Sequence, residues 1–458
     1  MQHEVIVIGG GIGGLTTAAL LATRGVNVCL FERQSRVGGC VANFEHLGYS
    51  FEPTFGLYSG WESGGTWDRV FAELSAAAPV TSKLSPAYVV RLPDGRDVEV
   101  TDNRKTFEGN IAAAFSDCGN AALHFFRTMR ELANETSHTS QPVAKLLENT
   151  SPDFRLFIDA QLQMFAQCTS TDCPLWRAAS ALKVMLGSLW SIRGGGQALA
   201  DRLADILKRR GGLLRLNSPV LRLAYGSDGT PIGVDLLSGE RVIATRAIVS
   251  NLTIWDTYGK LIGLSRTPQA TSAQLRKLSA WGAYLIFMSV DEQVAHELAP
   301  RLLTLCGSAS SGQDPARHQL MLNLATADPA RAPNGKRTLT ATAFTDAQDW
   351  FSFHEDATAH EQRDQAELEK WWTRLHFALP ELGDGVEVIE TATPQTFYEA
   401  TRRKFGMVGM PSPRWQISEH QLPFANVFLV SDTTADSVGL EGVAQQAIHV
   451  TDSITRRR

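Results

Sequence analysis

Residues 5–32 read VIVIGGGIGGLTTAALLATRGVNVCLFE. An apolar run, residues 5–8, meets a glycine cluster. A stretch rich in small residues follows, then a second apolar run that ends in Glu32. Apolar residues without alternation suit a strand buried on both faces. Ala18, Ala19 and Ala22 suit a helix packed closely on such a sheet. The pattern predicts strand, turn, helix, strand: the start of a doubly wound α/β domain.

Gly9, Gly11 and Gly14 form G-x-G-x-x-G at the strand-to-helix turn. Gly9 permits the tight turn, Gly11 lets the backbone approach a pyrophosphate, and Gly14 lets helix and strand touch. The helix start, with Ile12 and Gly13, offers N–H groups and the positive end of the helix dipole to phosphates. Glu32 lies 18 residues after Gly14, where a carboxylate takes the ribose hydroxyls, with Arg33 beside it. A chance glycine turn does not explain Glu32. The setting predicts a dinucleotide cofactor.

The motif does not distinguish NAD from FAD. Residues 426–449 read NVFLVSDTTADSVGLEGVAQQAIH. A late apolar strand runs into Asp432, and a helix is expected to open at Gly442-Val443. A second strand and helix returning to one ligand suit a long one. Asp432 can take ribityl or phosphate-side hydroxyls, and the Gly442 helix can set its dipole at a flavin. An ordinary terminal strand and helix fit the same residues.

Taken in order, further segments resemble the phytoene desaturase/carotenoid isomerase family of FAD-dependent oxidoreductases, closest to the carotenoid (prolycopene) isomerase branch. Arg36-Val37-Gly38-Gly39 and Gly48-Tyr49-Ser50-Phe51 are similar to the family's double-glycine and G-Y-x-F-D segments. SIRGGGQALADRL, residues 191–203, resembles its mid-chain glycine signature. Gly211-Gly212 and residues 217–220 resemble a strand over the adenine side, which points to the Val220 backbone. AIVSNLTIWDTYGKL, residues 247–261, is very like the isomerase branch. TPQTFYEATRRKFGMVGMP, residues 393–411, and the last block complete the match.

The resemblance implies an α/β fold. Its FAD domain is Rossmann-type, glutathione-reductase-like and discontinuous (1–75, 191–260, 415–458). Its α+β substrate domain (76–190, 261–414) is built on an antiparallel sheet with a long apolar tunnel, often docked on a membrane. It implies FAD bound by Gly9, Gly11, Ile12, Gly13, Gly14, Glu32, Arg33, Gly38, Gly39, Val220, Asp432, Gly442 and Val443. The implied activity is on C–C double bonds of an apolar, carotenoid-like polyene, by flavin hydride transfer or reduced-flavin-assisted cis/trans isomerisation. The chain departs from the family at Cys40, Glu52, Ser431, Asp436-Ser437 and Gln445-Gln446. An amine or amino-acid oxidase on the same fold and a non-catalytic flavin-binding protein are the rival readings.

The 458 residues are enough for two or three domains. Net charge of −5 gives a nucleic-acid partner no electrostatic support. Six cysteines without a C-x-x-C pair read as reduced, packed thiols. The N-terminus reads as lacking a secretory signal, and no run suits a transmembrane helix. The expectation is a cytoplasmic chain, peripheral on a membrane, with a hydrophobic small-molecule substrate. Asn251-Leu252-Thr253 fits a glycan acceptor but is read as a strand end and helix cap.

Further strands are expected at residues 89–100 (a hairpin centred on Asp94-Gly95), 213–249, 281–290, 319–325 and 337–344, with mainly helix over 105–190 and a helix over 357–378. Residues 308–312, SASSG, read as a loop. No motif marks a hydrolase or a metal site. Glu52 is the one catalytic candidate, an acid or base near the flavin edge, set against a hydrogen-bonded structural acid. His354 reads as a partly buried or surface histidine, and the run Arg402-Arg403-Lys404 as a solvated charge run, set against one that faces an anionic headgroup. Residues 175–190 are amphipathic, with Arg177, Ser180, Lys183 and Ser188 on the polar side.

Overall fold

The structure is a computed structural model that describes residues 2–134, 141–298, 302–306, 319–351, 356–411, 422–433 and 439–456. The opening stretch folds as its pattern predicts. Strand Gln2–Ile8 enters helix Ile12–Thr23, and strand Val28–Phe31 returns parallel to the first. Their side chains alternate between two buried faces. Val5, Val7, Val28 and Leu30 join one core; Ile6, Ile8, Cys29 and Phe31 join another. Burial on both faces is why these strands carry no polar alternation.

The sheet runs Val220–Tyr225, Pro231–Leu236, Arg241–Ser250, Gln2–Ile8, Val28–Phe31, Leu213–Arg215, with Val427–Leu429 also paired to Arg241–Ser250. The strands around the first are parallel; the outer hairpin on the Val220 side is antiparallel. Helices Ile12–Thr23, Gly195–Arg209 and Gly439–Arg456 contribute to the core on one face. Ala18, Ala19 and Ala22 let them approach closely. Trp255, Tyr258, Leu261 and Ile262 pack on the other face. Residues 217–219 are not strand. Asn217 has φ +50°, and the strand begins at Val220.

A second sheet runs Val386–Ala392, Trp281–Asp291, Lys336–Asp346, Leu320–Leu324, Leu302–Leu305, Tyr88–Arg91, Asp97–Val100. It is antiparallel except where residues 303–305 run parallel to 89–91. One face packs Tyr284, Ile286 and Met288 with Trp371 and Leu375 of helix Ala357–Ala378. On the same sheet Leu285 and Phe287 join Phe51 in a separate core. Phe287 stacks on Phe44 (centroids 4.8 Å apart) and lies 5.0 Å from Phe51, joining the hairpin of Phe44–His46 and Tyr49–Phe51 to this sheet.

Residues 104–185 supply the helices Arg104–Ala114, Gly119–Leu132, Pro152–Ala166 and Leu175–Met185. Arg177 corrects the amphipathic reading of the last of these. It is 3% exposed, not on a solvent face. Its guanidinium donates to the carbonyls of Pro411 (2.8 Å) and Ala166 (2.7 Å). Residues 308–312 and His354 lie outside the described residues.

Candidate cofactor cleft

A cleft of about 360 Å³ opens where the parallel strands end. Gly9, Gly11, Ile12, Gly13, Glu32, Arg33, Gly38, Gly39, Val220, Asp432 and Val443 all line it; Gly14, Gly442 and Glu52 are not among its lining residues. Gly14 lies against the strand instead. A Cβ there would sit 2.1 Å from the Gly9 carbonyl oxygen. Gly39 has φ +59°, and its Cβ would lie 3.3 Å from the Gly11 Cα. The double-glycine segment thus presses on the glycine loop, and the Gly38 N–H donates to the Gly10 carbonyl at 2.9 Å. The last helix begins at Gly439, earlier than expected, which leaves Gly442 buried inside its first turn.

Glu32 is fixed before any ligand arrives. Its Oε2 accepts from the Gly10 N–H and its Oε1 from the Gln34 N–H, each at 2.7 Å. A carboxylate has about four lone-pair sites, so acceptor capacity remains for ribose hydroxyls. Arg33 donates to the Ala400 carbonyl at 2.7 Å. Burial, and then the nearby Arg402 charge, lower its pKa from the ordinary arginine range.

Asn251 was read from sequence only as a strand end. Its backbone N–H donates to the Ile8 carbonyl at 2.8 Å, and its Nδ2 donates to the Val430 carbonyl at 2.6 Å. One residue, through its backbone and its side chain, thus ties the ends of three neighbouring strands beneath the glycine loop. A Cβ on Gly11 would come within 2.7 Å of its Oδ1. The amide orientation follows from its partner, because a carbonyl only accepts. Asn251→Asp would turn a carboxylate oxygen toward Val430. It is expected to lower stability by about 1–3 kcal/mol. Thermal unfolding checks this, and an unchanged midpoint would remove the role.

The residues after Asn251 form a cap. Thr253 Oγ1 accepts from the Asp256 N–H (3.1 Å) and donates to its Oδ2 (2.5 Å). Lys260 pairs with Asp256 at 2.7 Å, and the Trp255 indole donates to the Leu275 carbonyl at 3.1 Å.

The basic run Arg402-Arg403-Lys404 is not uniformly solvated. The Arg403 side chain is 13% exposed and lines the cleft. Its Nη1 and Nη2 donate to the two Asp432 carboxylate oxygens at 3.1 and 3.0 Å, and its Nε to the Met407 carbonyl at 2.8 Å. Burial opposes its charge, but Asp432 holds it protonated, above the usual arginine value. Cys40 is its neighbour, a thiol whose pKa burial raises against the pull of Arg403. Asp432, read as free for cofactor hydroxyls, is therefore already half engaged. Gln446, a departure from the family pattern, accepts from the Ser431 N–H at 3.2 Å. Asp436 and Ser437 lie outside the described residues.

Glu52 lies away from the cleft, 2% exposed. Its Oε1 accepts from the Tyr58 hydroxyl and from Thr54 Oγ1 (3.0 Å); its Oε2 is 3.8 Å from the buried Arg331 guanidinium. These partners occupy the carboxylate on several sides.

The cleft fits a dinucleotide: a glycine cradle at a helix N-terminus, a carboxylate with acceptor capacity that would take ribose hydroxyls, and a largely buried arginine in its wall. A model of the family described as flavin containing amine oxidoreductase matches residues 12–455. The chain is similar to prolycopene isomerase 1, chloroplastic, of an Oncidium hybrid cultivar: 25% identity over 457 residues, covering 90% of this chain and 76% of the relative. It is also similar to a phytoene desaturase of Cercospora nicotianae: 24% identity over 333 residues, 64% of this chain and 52% of the relative. An oxidoreductase structure from Methanosarcina mazei shares the fold with a TM-score of 0.75 at 19% identity, over 99% of this chain and 100% of that one. With the glycine cradle and Glu32 at its centre, the chain belongs to the flavin containing amine oxidoreductase family and is an FAD-dependent oxidoreductase.

Proposed function

We propose that the protein acts on C–C double bonds of an apolar, carotenoid-like polyene. The carrying observation is the likeness to prolycopene isomerase and phytoene desaturase. A small apolar chamber on the second sheet agrees with it, lined by Phe55, Leu57, Tyr88, Met164, Leu302, Leu303, Met321 and Leu322, with Thr304, Asn323 and Thr342 as its polar members. No charged side chain is among these lining residues, which suits an apolar substrate better than a charged one. One segment joins chamber and cleft. Residues 38–42 line the cleft, and Phe55 and Leu57 line the chamber.

The chamber holds about 10 Å³, room for about one water. A long substrate requires it to widen, and the unbranched thioethers Met164 and Met321 make an adaptable wall. Bound FAD supplies hydride acceptance or, when reduced, hydride return. The protein's part is to align the substrate, exclude water and hold the cofactor. Cis/trans isomerisation with reduced flavin and desaturation with oxidised flavin are both open to this arrangement. In this reading the cofactor domain is residues 1–75, 191–260 and 415–458, and residues 76–190 and 261–414 hold the substrate. The chain works in the cytoplasm and draws its substrate from a membrane surface. Among the described residues, no helix is long and apolar enough to cross a membrane.

The test is anaerobic incubation of the FAD-loaded protein with cis and saturated polyenes, the flavin oxidised or reduced, followed by product separation. Conversion only with reduced flavin selects isomerisation. Conversion only with oxidised flavin and an acceptor selects desaturation. Peroxide release with amines, and no polyene product, would sink the proposal.

A further inference from the structure

We propose that Arg403 is a phosphate-binding residue of the cofactor cleft, delivered from a part of the chain far from the glycine loop. A pyrophosphate brings two negative charges to the start of helix Ile12–Thr23, whose dipole offers about half a charge. The opposing segment, residues 38–42, reads GGCVA and carries no cation. The other cations lining the cleft are placed differently. Arg33 adjoins Glu32, on the ribose side, and its Nη2 donates to the Ala400 carbonyl. Lys260, 55% exposed, holds Asp256 and the Arg402 carbonyl. Arg402 and Arg36 are exposed.

Arg403 is set apart by burial and place. Its side chain is 13% exposed, it shares the cleft wall with Gly38, Gly39 and Cys40, and its charge acts on the Cys40 thiol, directly after the double glycine. Asp432 and Met407 take three of its five N–H groups and hold its plane in place. A fixed, planar, charged fork with donors to spare suits a phosphate oxygen. Asp432 then has two tasks: it aims Arg403, and its remaining lone pairs accept from cofactor hydroxyls.

The test titrates apoprotein with FAD, ADP and adenosine by calorimetry. Arg403→Leu is expected to weaken FAD and ADP by about tenfold or more, and adenosine by less than about twofold. Adding Cys40→Arg to that variant restores a cation at the same place and is expected to recover most of the ADP affinity. Thermal unfolding of each apoprotein reports whether it is folded. An unchanged ADP affinity in Arg403→Leu would overturn the assignment. So would equal losses for ADP and adenosine that Cys40→Arg does not repair.

A measurement on the unaltered protein covers the case in which Arg403→Leu does not fold. ADP, but not adenosine, is expected to slow alkylation of Cys40 by iodoacetamide, read by peptide mass mapping. Equal protection by both, or by neither, would overturn the proposal.

Discussion

Gly14→Ala is expected to cost about 3 kcal/mol of stability and to abolish FAD binding. The cause is one contact. The added Cβ would lie 2.1 Å from the Gly9 carbonyl oxygen, which is backbone and cannot rotate away. Helix Ile12–Thr23 would have to move off strand Gln2–Ile8. That movement is opposed on its far side, where Ala18, Ala19 and Ala22 are packed in a core shared with helices Thr66–Leu74, Gly195–Arg209 and Gly439–Arg456. Any displacement also carries Gly11, Ile12 and Gly13 away from the phosphates, so stability and affinity fall together. Gly109→Ala is the control. It lies exposed within helix Arg104–Ala114 with nothing near its new Cβ, and the change is expected to stabilise by about 0.5–1 kcal/mol. Thermal unfolding and FAD titration of both variants decide the matter. A Gly14→Ala protein that melts with the parent and binds FAD would show that the close approach is not required.

The parts of this site that sequence made legible are those whose partners are near in the chain. Gly9, Gly11, Gly14 and Glu32 lie within one strand–helix–strand unit, so spacing alone predicts that Gly9, Gly11 and Glu32 reach the cleft and that Gly14 lies against the strand. Asn251 acts on a strand end from each side, Ile8 and Val430, and neither is its chain neighbour. Its signal was present as a polar residue at the end of an apolar run, but a glycan acceptor and a strand end share that signal. Arg403 sits in a basic triplet, which reads as solvated until Cys40 and Asp432 are brought to it. Arg177 fell on the polar arc of an amphipathic helix, yet carbonyls from Ala166 and Pro411 satisfy it in the interior. Periodicity assigns a polar residue to water because it cannot see a carbonyl that another segment delivers. The same blindness affects Glu52, for which sequence offered two roles and no partners.

Glu52→Leu is expected to destabilise the protein by about 3–5 kcal/mol, because it strands Arg331. Arg331 is 5% exposed, its Nε donates to the Ser50 carbonyl at 3.3 Å, and Glu52 is the carboxylate beside it. Replacement also unpairs the buried Tyr58 hydroxyl from its acid partner. The double change Glu52→Leu with Arg331→Leu removes both charges and is expected to recover part of the loss. Glu52→Gln separates the two roles. If the carboxylate moves a proton in turnover, the amide lowers kcat by about 10²–10⁴ and leaves folding nearly intact. If the carboxylate holds residues 50–58 against the second sheet, the amide keeps partners for Tyr58 and Thr54, lowers stability, and leaves turnover of the folded fraction near the parent's. The geometry favours the second outcome. Glu52 is absent from the lining of both the cleft and the chamber, and its oxygens face Tyr58, Thr54 and Arg331. Its place also explains Gly195, since a Cβ there would meet the Glu52 carboxyl carbon at 2.9 Å. The acid therefore sits where helix Gly195–Arg209 begins, the segment through Phe55 and Leu57 turns, and the second sheet arrives. A buried charge at such a junction is costly if any of the three is displaced, so Glu52 is expected to act on stability through Tyr58, Thr54 and Arg331.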